Sequence, residues 1–345
     1  MAYPNPHMKP LTSLTFAIVF TVGTIFGADS HSVVYEGKAG PGKGKHIVLM
    51  AGDEEYRSEE AMPLMGKILS QRHGFKCTVI FSVDKDGFID ANNGASLTNP
   101  EALDSADAIV MSLRFRHYPD DVKKHFTDAV NRGIPIIGLR TSTHAFNDQQ
   151  LKNFGREVLG ENWVSHWGNH RSEATKGIIE PSAKDNSLLR GVLDVYGPTD
   201  VYEAHPPDDV TILLRGQVLK GMDPSSPPAD YMKKIKNAEQ PVNNPMMPIA
   251  WTREVKNAAG TTNKILCTTM GASIDLKNED LRRLVVNGVY WGLGMEVPAR
   301  ADVTPVGIYE PTMYGTKDST NTSDPYGFRG FKRGVKPSDF ALPVN

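Results

Sequence analysis

Short apolar runs alternate with amphipathic stretches through the first half of the chain, and this alternation limits the fold more than any other feature. Residues 46–51 predict a buried strand, and residues 59–72 predict a helix with its apolar side chains on one face. Further strands are predicted over 77–83, 106–111 and 134–139, and a further helix over 120–131. Strands that alternate with helices at this spacing predict an α/β fold with a doubly wound, mostly parallel sheet.

The second half of the chain is less regular but continues the sheet. Strands are predicted over 177–180, 210–214, 247–253 and 264–269, followed by a closing helix over 278–293. The proline-rich residues 221–245 predict a long surface loop. Residues 297–345 are rich in Pro, Gly and Tyr without periodicity and predict an extended C-terminal tail.

The composition allows one large domain or two modest ones and gives no reason to expect a nucleic-acid partner. The chain has 345 residues, 39% hydrophobic and 23% charged, so it can bury a sizeable core. The formal net charge is −2. A surface without a basic excess does not attract a polyanion.

The N-terminus has the features of a signal peptide. Lys9 precedes an apolar run over 11–26, and the small residues Gly27 and Ala28 follow it. We therefore expect residues 1–28 to be removed on export, which predicts a secreted or periplasmic protein without stable membrane insertion. The alternative is an uncleaved anchor, although the run is shorter than the roughly 20 residues that span a bilayer. Residues 29–45 then form a spacer before the first strand.

Both cysteines lie in β-like apolar runs. Cys77 falls in the second predicted strand, and Cys267 falls in the last. This placement favours buried, unpaired thiols over a disulfide, even in an oxidising compartment. Neither cysteine follows a strand at a turn into a helix, so a thiol nucleophile is not expected.

Polar side chains follow three of the predicted strands at the point where each strand ends. In a parallel sheet these ends meet at one edge, where ligands bind. The expected binding groups are Arg57, Arg114, Arg116, Arg140 and Thr141. Glu55 and His144 are the expected proton-transferring residues. The alternative is that these charges form ion pairs that hold the loops together.

A second polar segment contains two histidines four residues apart, His166 and His170, together with Trp163. Trp offers a flat face to a sugar ring and His supplies hydrogen bonds at neutral pH, so this segment is predicted to bind the ligand. A divalent metal is an alternative use of the histidines, but no HExxH helix or carboxylate triad accompanies them, and no metal site is predicted. Glu203 is expected to add a carboxylate, unless it belongs to a solvated loop.

Several short segments resemble the ThuA-like (trehalose utilisation) family. They are Gly138-Leu139-Arg140, Thr143-His144-Ala145-Phe146, Asp200-Val201-Tyr202-Glu203, Pro248-Ile249-Ala250-Trp251-Thr252-Arg253 and Thr268-Thr269-Met270-Gly271. The resemblance covers about residues 46–294, and we assign residues 46–296 to the corresponding domain. It implies a flavodoxin-like three-layer sandwich related to the class I glutamine amidotransferases, and an association with sugar metabolism.

The chain departs from these relatives at the turn that follows the fourth strand. The amidotransferase pattern has its cysteine nucleophile there, and the ThuA-like pattern has His at or near this position, whereas this chain has Arg140. Ala272 likewise replaces a His. Ser142 is not expected to act as a nucleophile, because its turn lacks the glycines of a G-x-S-x-G elbow. We expect Thr141, Ser142 or Thr143 to cap a following helix instead.

Two functional classes stay open. The first is an exported protein that binds or processes a carbohydrate or sugar derivative at the carboxyl ends of the strands, without a cysteine nucleophile. The second is a non-catalytic module that binds a glycan or a protein partner through the same loops. The sequence indicates no particular cofactor or reaction, and it leaves the oligomeric state open, including a homo-oligomer.

Overall fold

A mixed sheet of ten strands forms the centre of the fold. A computed structural model describes residues 1–2, 31–235, 238–316 and 327–343. The strands are β1 Ser32–Tyr35, β2 His46–Gly52, β3 Lys76–Phe81, β4 Ala108–Leu113, β5 Ile136–Leu139, β6 Ser165–His166, β7 Ala174–Ile179, β8 Val195–Gly197, β9 Tyr202–Glu203, β10 Thr211–Leu219, β11 Met232–Ile235, β12 Ala238–Pro241, β13 Met247–Lys256 and β14 Thr262–Thr268. The α-helices are α1 Ser58–His73, α2 Asp120–Asn131 and α3 Glu279–Gly292.

The large sheet changes from parallel to antiparallel halfway across. Its strand order is β1-β3-β2-β4-β5-β14-β13-β10-β7-β8. The five strands from β3 to β14 pair in parallel, and every other pair is antiparallel. The predicted α/β class is confirmed, but the sheet is parallel only in this part. The change to antiparallel pairing begins at the hairpin of β13 and β14, because two strands joined by a short turn can pair only antiparallel.

Helices cover both faces of the parallel strands, which gives the predicted three layers. On one face, α1 and α3 bury Met62, Ile68 and Leu284 in a shared core. On the other face, α2 packs Phe126 and Ala129 against Ile109 of β4. As the sequence pattern predicts, α2 turns its apolar stripe toward the sheet and its polar side outward. In contrast, residues 281–290 of α3 are all buried.

Three local predictions differ from the structure. Residues 32–35, within the expected spacer, form β1, which pairs with β3 at the edge of the sheet. Residues 221–245, expected to be a loop, contain the hairpin of β11 and β12. The chain makes the 3₁₀ turn Arg140–His144 directly after β5, in place of the expected α-helix, so the hydroxyls of residues 141–143 do not cap one.

The remaining expectations concern the thiols and the chain ends. Cys77 and Cys267, both in the described part of the chain, are buried and unpaired, as predicted. The expected signal peptide lies outside the described residues apart from residues 1–2. Among the helices of the described residues, none has both the length and the apolar character needed to cross a bilayer. In the C-terminal tail, Tyr314 and Phe328 pack beside Tyr56, which follows β2.

Candidate functional site

A small cleft opens at the carboxyl ends of β2, β4 and β5. It is lined by Glu55, Tyr56, Arg114, Phe115, His144, Trp163, His166 and Tyr202. Its volume is about 40 Å³, which is enough for a water molecule and well below the roughly 300–1,000 Å³ of drug-sized ligand sites. The edge of the sheet predicted from the sequence is therefore where polar and aromatic side chains converge.

The backbone around this cleft is strained. Arg57, Phe115, Arg140 and Arg171 have positive φ values of 61°, 53°, 45° and 64°, and none of them is glycine. Arg57, Phe115 and Arg140 follow β2, β4 and β5 within a few residues, and Arg171 follows His170. Left-handed backbone at a bulky residue costs free energy and clusters at functional sites. The loops at the strand ends are thus held in unusual conformations by the surrounding contacts.

Arg140, predicted to bind the ligand, is not among the residues that line the cleft. Its side chain has no exposed surface. The guanidinium donates to the backbone oxygens of Asp200 and Thr269, both at 2.8 Å, and pairs with the Asp200 carboxylate at 3.1 Å. The rings of Tyr56 and Tyr202 lie over it, with their centroids 4.6 and 3.8 Å from its central carbon. All these contacts are within the protein, so Arg140 supports the site from below.

Three more of the expected binding residues are also structural. The buried Arg57 donates to the backbone oxygens of Glu55 and Gly315, at 2.9 and 2.5 Å. Thr141 is buried and donates to Asp53 at 2.5 Å. Arg116 is buried and pairs with Glu54 at 3.5 Å. These three side chains are buried and bond within the protein. They therefore fit the alternative given above, in which such residues hold the loops together.

Glu55 and Arg114 are the charged pair that does line the cleft. Their side chains are 10% and 19% exposed, and Arg114 Nη2 lies 3.4 Å from Glu55 Oε2. Arg114 also pairs with Glu54. Burial alone would raise the pKa of Glu55, but the hydrogen bond with His170 and the charge of Arg114 bring this pKa below its ordinary value. Glu55 is therefore an ionised carboxylate at neutral pH and can accept a proton or a hydrogen bond.

His144 lines the cleft as predicted, but its basicity is low. Burial, followed by the charges of Arg114 and Arg140, lowers the pKa of His144 to about 3. Its ring lies among aromatic side chains, with centroids 5.2 Å from Phe115 and 5.6 Å from Trp163. His144 is therefore a neutral imidazole at physiological pH, better suited to hydrogen bonding than to accepting a proton.

His166 and His170 meet a carboxylate that was not among the predicted site residues. His166 Nδ1 lies 2.7 Å from one oxygen of Asp200, and His170 Nδ1 lies 2.9 Å from the other. Burial would raise the pKa of Asp200, but Arg140 and the two histidines lower it far more. The ligand atoms of these three residues lie within 4.8 Å of one another, so the cluster could hold a metal ion.

Trp163 was expected to face a ligand, but the Tyr and Phe rings of the cleft wall and Asp200 were not among the predicted site residues. Tyr56 and Tyr202 line the cleft. Glu203 is absent from the cleft lining and bonds to Ser165 and His205 instead. Neighbouring side chains of a strand point to opposite faces, so Tyr202 and Glu203 in β9 cannot both face the cleft. Of the two tryptophans in the histidine segment, Trp163 is 39% exposed and lines the cleft, whereas Trp167 is buried.

The chain matches one family model, described as "ThuA: Trehalose utilisation", over residues 35–292. Among solved structures, it is similar to a putative ThuA-like protein from Parabacteroides merdae, at 13% identity and a TM-score of 0.50 over 74% of this chain and 92% of that one. A putative ThuA-like protein from Bacteroides uniformis matches at 15% identity and a TM-score of 0.47, over 74% and 93% of the two chains. No curated protein matches the sequence.

Proposed function

The chain belongs to the ThuA (trehalose utilisation) family, and on that premise we propose that it binds or processes a carbohydrate or sugar derivative in the cleft at the ends of β2, β4 and β5. No cysteine nucleophile takes part. The observation that carries the proposal is the composition of the cleft wall, where aromatic rings stand beside an ionised carboxylate and an arginine.

Sugars present both apolar and polar surface, and the cleft wall complements both. Phe115, Trp163 and Tyr202 offer ring faces to the C–H groups of a pyranose. Glu55 and Arg114 offer an acceptor and a forked donor to its hydroxyl groups. The cleft is too small for a ring as it stands. Phe115 and Trp163 are 41% and 39% exposed, so we expect these two side chains to rotate when a sugar enters.

The chemistry of the lining favours proton transfer over covalent catalysis. Glu55 is the proposed proton acceptor, because its carboxylate is ionised and partly exposed in the cleft. His144 is the proposed hydrogen-bond donor to substrate, since its imidazole stays neutral. The position of the amidotransferase nucleophile is taken by the buried Arg140, and Ser142 donates to the backbone oxygen of Met111 at 2.9 Å.

One observation favours the alternative of a non-catalytic binding module. Arg114 is already neutralised by Glu54 and Glu55, so the charges of the cleft balance without a substrate. Such a patch can recognise a glycan without transforming it. Product formation from a bound sugar separates the two functions. We also propose that the protein is exported, which N-terminal sequencing of the mature chain tests by locating a cleavage near residue 28.

The experiment is a ligand screen by thermal shift, using mono- and disaccharides and their keto forms, followed by calorimetry on the ligands found. Specific binding stabilises the native state, so a true ligand raises the melting temperature. Trp163→Ala should weaken the affinity about tenfold, which corresponds to ~1.4 kcal/mol. Glu55→Gln should weaken binding or abolish turnover.

The matched control is Leu193→Ala, because Leu193 is an exposed apolar side chain that does not line the cleft. It should leave the affinity unchanged. The proposal fails if no saccharide stabilises the protein, or if Trp163→Ala and Leu193→Ala bind a ligand equally well.

A further inference from the structure

We propose that His166, His170 and Asp200 bind one divalent transition-metal ion, Zn²⁺ or a metal of similar ligand preference, at the inner end of the cleft. The proposal goes beyond the sugar-binding function and does not depend on it. It rests on the convergence, chemistry and surroundings of these three side chains.

The ligand atoms converge closely enough to share an ion. Both imidazoles present Nδ1 to the same carboxylate, at 2.7 and 2.9 Å, and their ring centroids are 4.3 Å apart. Zn²⁺ binds nitrogen and oxygen at about 2.0–2.2 Å, which places neighbouring ligand atoms ~3–3.5 Å apart. The three atoms all lie within 4.8 Å of one another. An ion therefore needs only small side-chain shifts to bind all three.

The donor set is one that transition metals prefer. Two imidazole nitrogens and one carboxylate oxygen suit Zn²⁺ and non-haem Fe²⁺, and sites with three protein ligands keep a position for water or substrate. His166 lines the cleft. A metal bound here would thus be next to the space in which the ligand is proposed to sit.

Neighbouring charged residues fix the orientation of His170 and Asp200, as is typical of metal sites. His170 Nε2 lies 3.3 Å from Glu55, so the ring nitrogen away from Asp200 has a carboxylate partner. A histidine that binds a metal commonly donates its second ring N–H to such a group. Asp200 has no exposed side-chain surface and is held by Arg140 at 3.1 Å. The carboxylate is therefore fixed before any ion arrives.

The nearby charges set the expected strength of binding. With neutral imidazoles, Asp200 is the one charged ligand, and its charge is offset by Arg140. Glu55, which lies behind His170, is likewise paired with Arg114. The site therefore has little net charge to attract a cation, so we expect a dissociation constant in the micromolar range, about 10⁻⁶ M, and not the tighter values of structural zinc sites.

The test uses the full chain, stripped of metal with EDTA and titrated with Co²⁺ and Zn²⁺ in the absence of sugar. Calorimetry should give one ion per chain, and Co²⁺ should produce visible d–d absorption that Zn²⁺ displaces. His166→Asn and His170→Asn should weaken Co²⁺ binding at least ~100-fold. Asparagine can still donate to Asp200, so these variants do not leave the buried carboxylate without a partner.

The matched control is His205→Asn. His205 also pairs with a carboxylate, Glu203 at 2.9 Å, but this pair lies outside the cleft lining. Metal binding should be unchanged in this variant. The proposal is overturned if the stripped protein binds neither ion, or if binding survives in both His166→Asn and His170→Asn. The first result would mean that the three side chains form only a hydrogen-bonded network.

A second measurement applies if either variant fails to fold. In the wild-type protein, Co²⁺ should shift and broaden the NMR signals of the His166 and His170 rings much more strongly than those of the His205 ring. Broadening of His205 alone would overturn the proposal. Since no sugar is present in either experiment, failure here leaves the proposed carbohydrate function intact.

Discussion

The guanidinium of Arg140 pairs with the carboxylate of Asp200 at 3.1 Å, and neither side chain has any exposed surface. The pair connects the turn after β5 to the segment before β9, which supplies Tyr202 to the cleft. Arg140 also donates to the backbone oxygen of Thr269, just after β14. Three chain segments that form the floor of the cleft are thus joined at one buried guanidinium.

We predict that Arg140→Ala destabilises the fold strongly. The sequence alone places Arg140 among the binding groups, and a residue in that role would affect ligand affinity more than stability. Removing one partner of a buried ion pair leaves the other charge buried without a partner, which costs about 3–5 kcal/mol of unfolding free energy. Urea denaturation followed by circular dichroism measures this loss.

The double variant Arg140→Ala with Asp200→Ala serves as the control. It removes both charges, so it should recover part of the stability that the single variant loses. A single variant within ~1 kcal/mol of the wild type would show that the pair does not hold the floor of the cleft together.

The first half of the fold was predictable because its signals are local. The strand predicted over 46–51 is β2, and the helix predicted over 120–131 is α2, since a buried parallel strand and a helix with one apolar face are both visible in a short window. The direction in which neighbouring strands pair is not visible in such a window. The apolar content of β10 or β13 is the same whether the strand pairs parallel or antiparallel, so the antiparallel half was missed.

The candidate cleft lies at the strand ends that the sequence indicates, but only some of the predicted site residues line it. The carboxyl ends of parallel strands converge, and this rule found Glu55, Arg114 and His144. Burial by distant segments is not visible in the sequence. Arg140 is enclosed by Tyr56 and Asp200, which are 84 and 60 residues away. No local pattern distinguishes such an arginine from one that faces solvent.

His144 should make stability depend on pH in the acidic range. Burial and the charges of Arg114 and Arg140 lower its pKa from 6.5 to about 3 on folding. Between these values the unfolded chain binds a proton that the native protein does not, so the native state loses stability as the pH falls below 6.5. The loss is at most ~1.4 kcal/mol per pH unit. Above pH 6.5 this contribution is constant.

The measurement is the unfolding free energy of wild type and His144→Asn at pH 7 and pH 5. Other groups titrate in both proteins, so the difference between them isolates His144. The wild type should lose more stability than the variant on acidification. Equal losses in the two proteins would mean that His144 is protonated in the native state at pH 5.

The two thiols should be unreactive in the native protein. Cys77 and Cys267 are fully buried, and burial raises the pKa of both thiols. A thiol reagent such as DTNB should therefore label neither cysteine until denaturant is added, and then both. In denaturant, the Cys77→Ala variant should have one cysteine per chain that reacts with DTNB. Rapid labelling of the native protein would contradict the burial of these strands.

Tyr314 of the C-terminal tail packs against the site with an unsatisfied hydroxyl. Its ring centroid lies 5.0 Å from that of Tyr56 and 5.5 Å from that of His170. The side chain is buried, and its hydroxyl has no hydrogen-bond partner among the residues that the structure describes. The ring therefore contributes apolar packing, whereas the hydroxyl carries a desolvation cost.

Tyr314→Phe should consequently be neutral or stabilise the protein by ~1 kcal/mol, because it keeps the ring and removes an unpaired polar group. Tyr314→Ala should cost about 3–5 kcal/mol through the cavity that it leaves beside Tyr56. Thermal and urea unfolding of the two variants measure the difference. If Tyr314→Phe is as damaging as Tyr314→Ala, the hydroxyl has a partner, and the tail is then attached to the site by a polar contact in addition to packing.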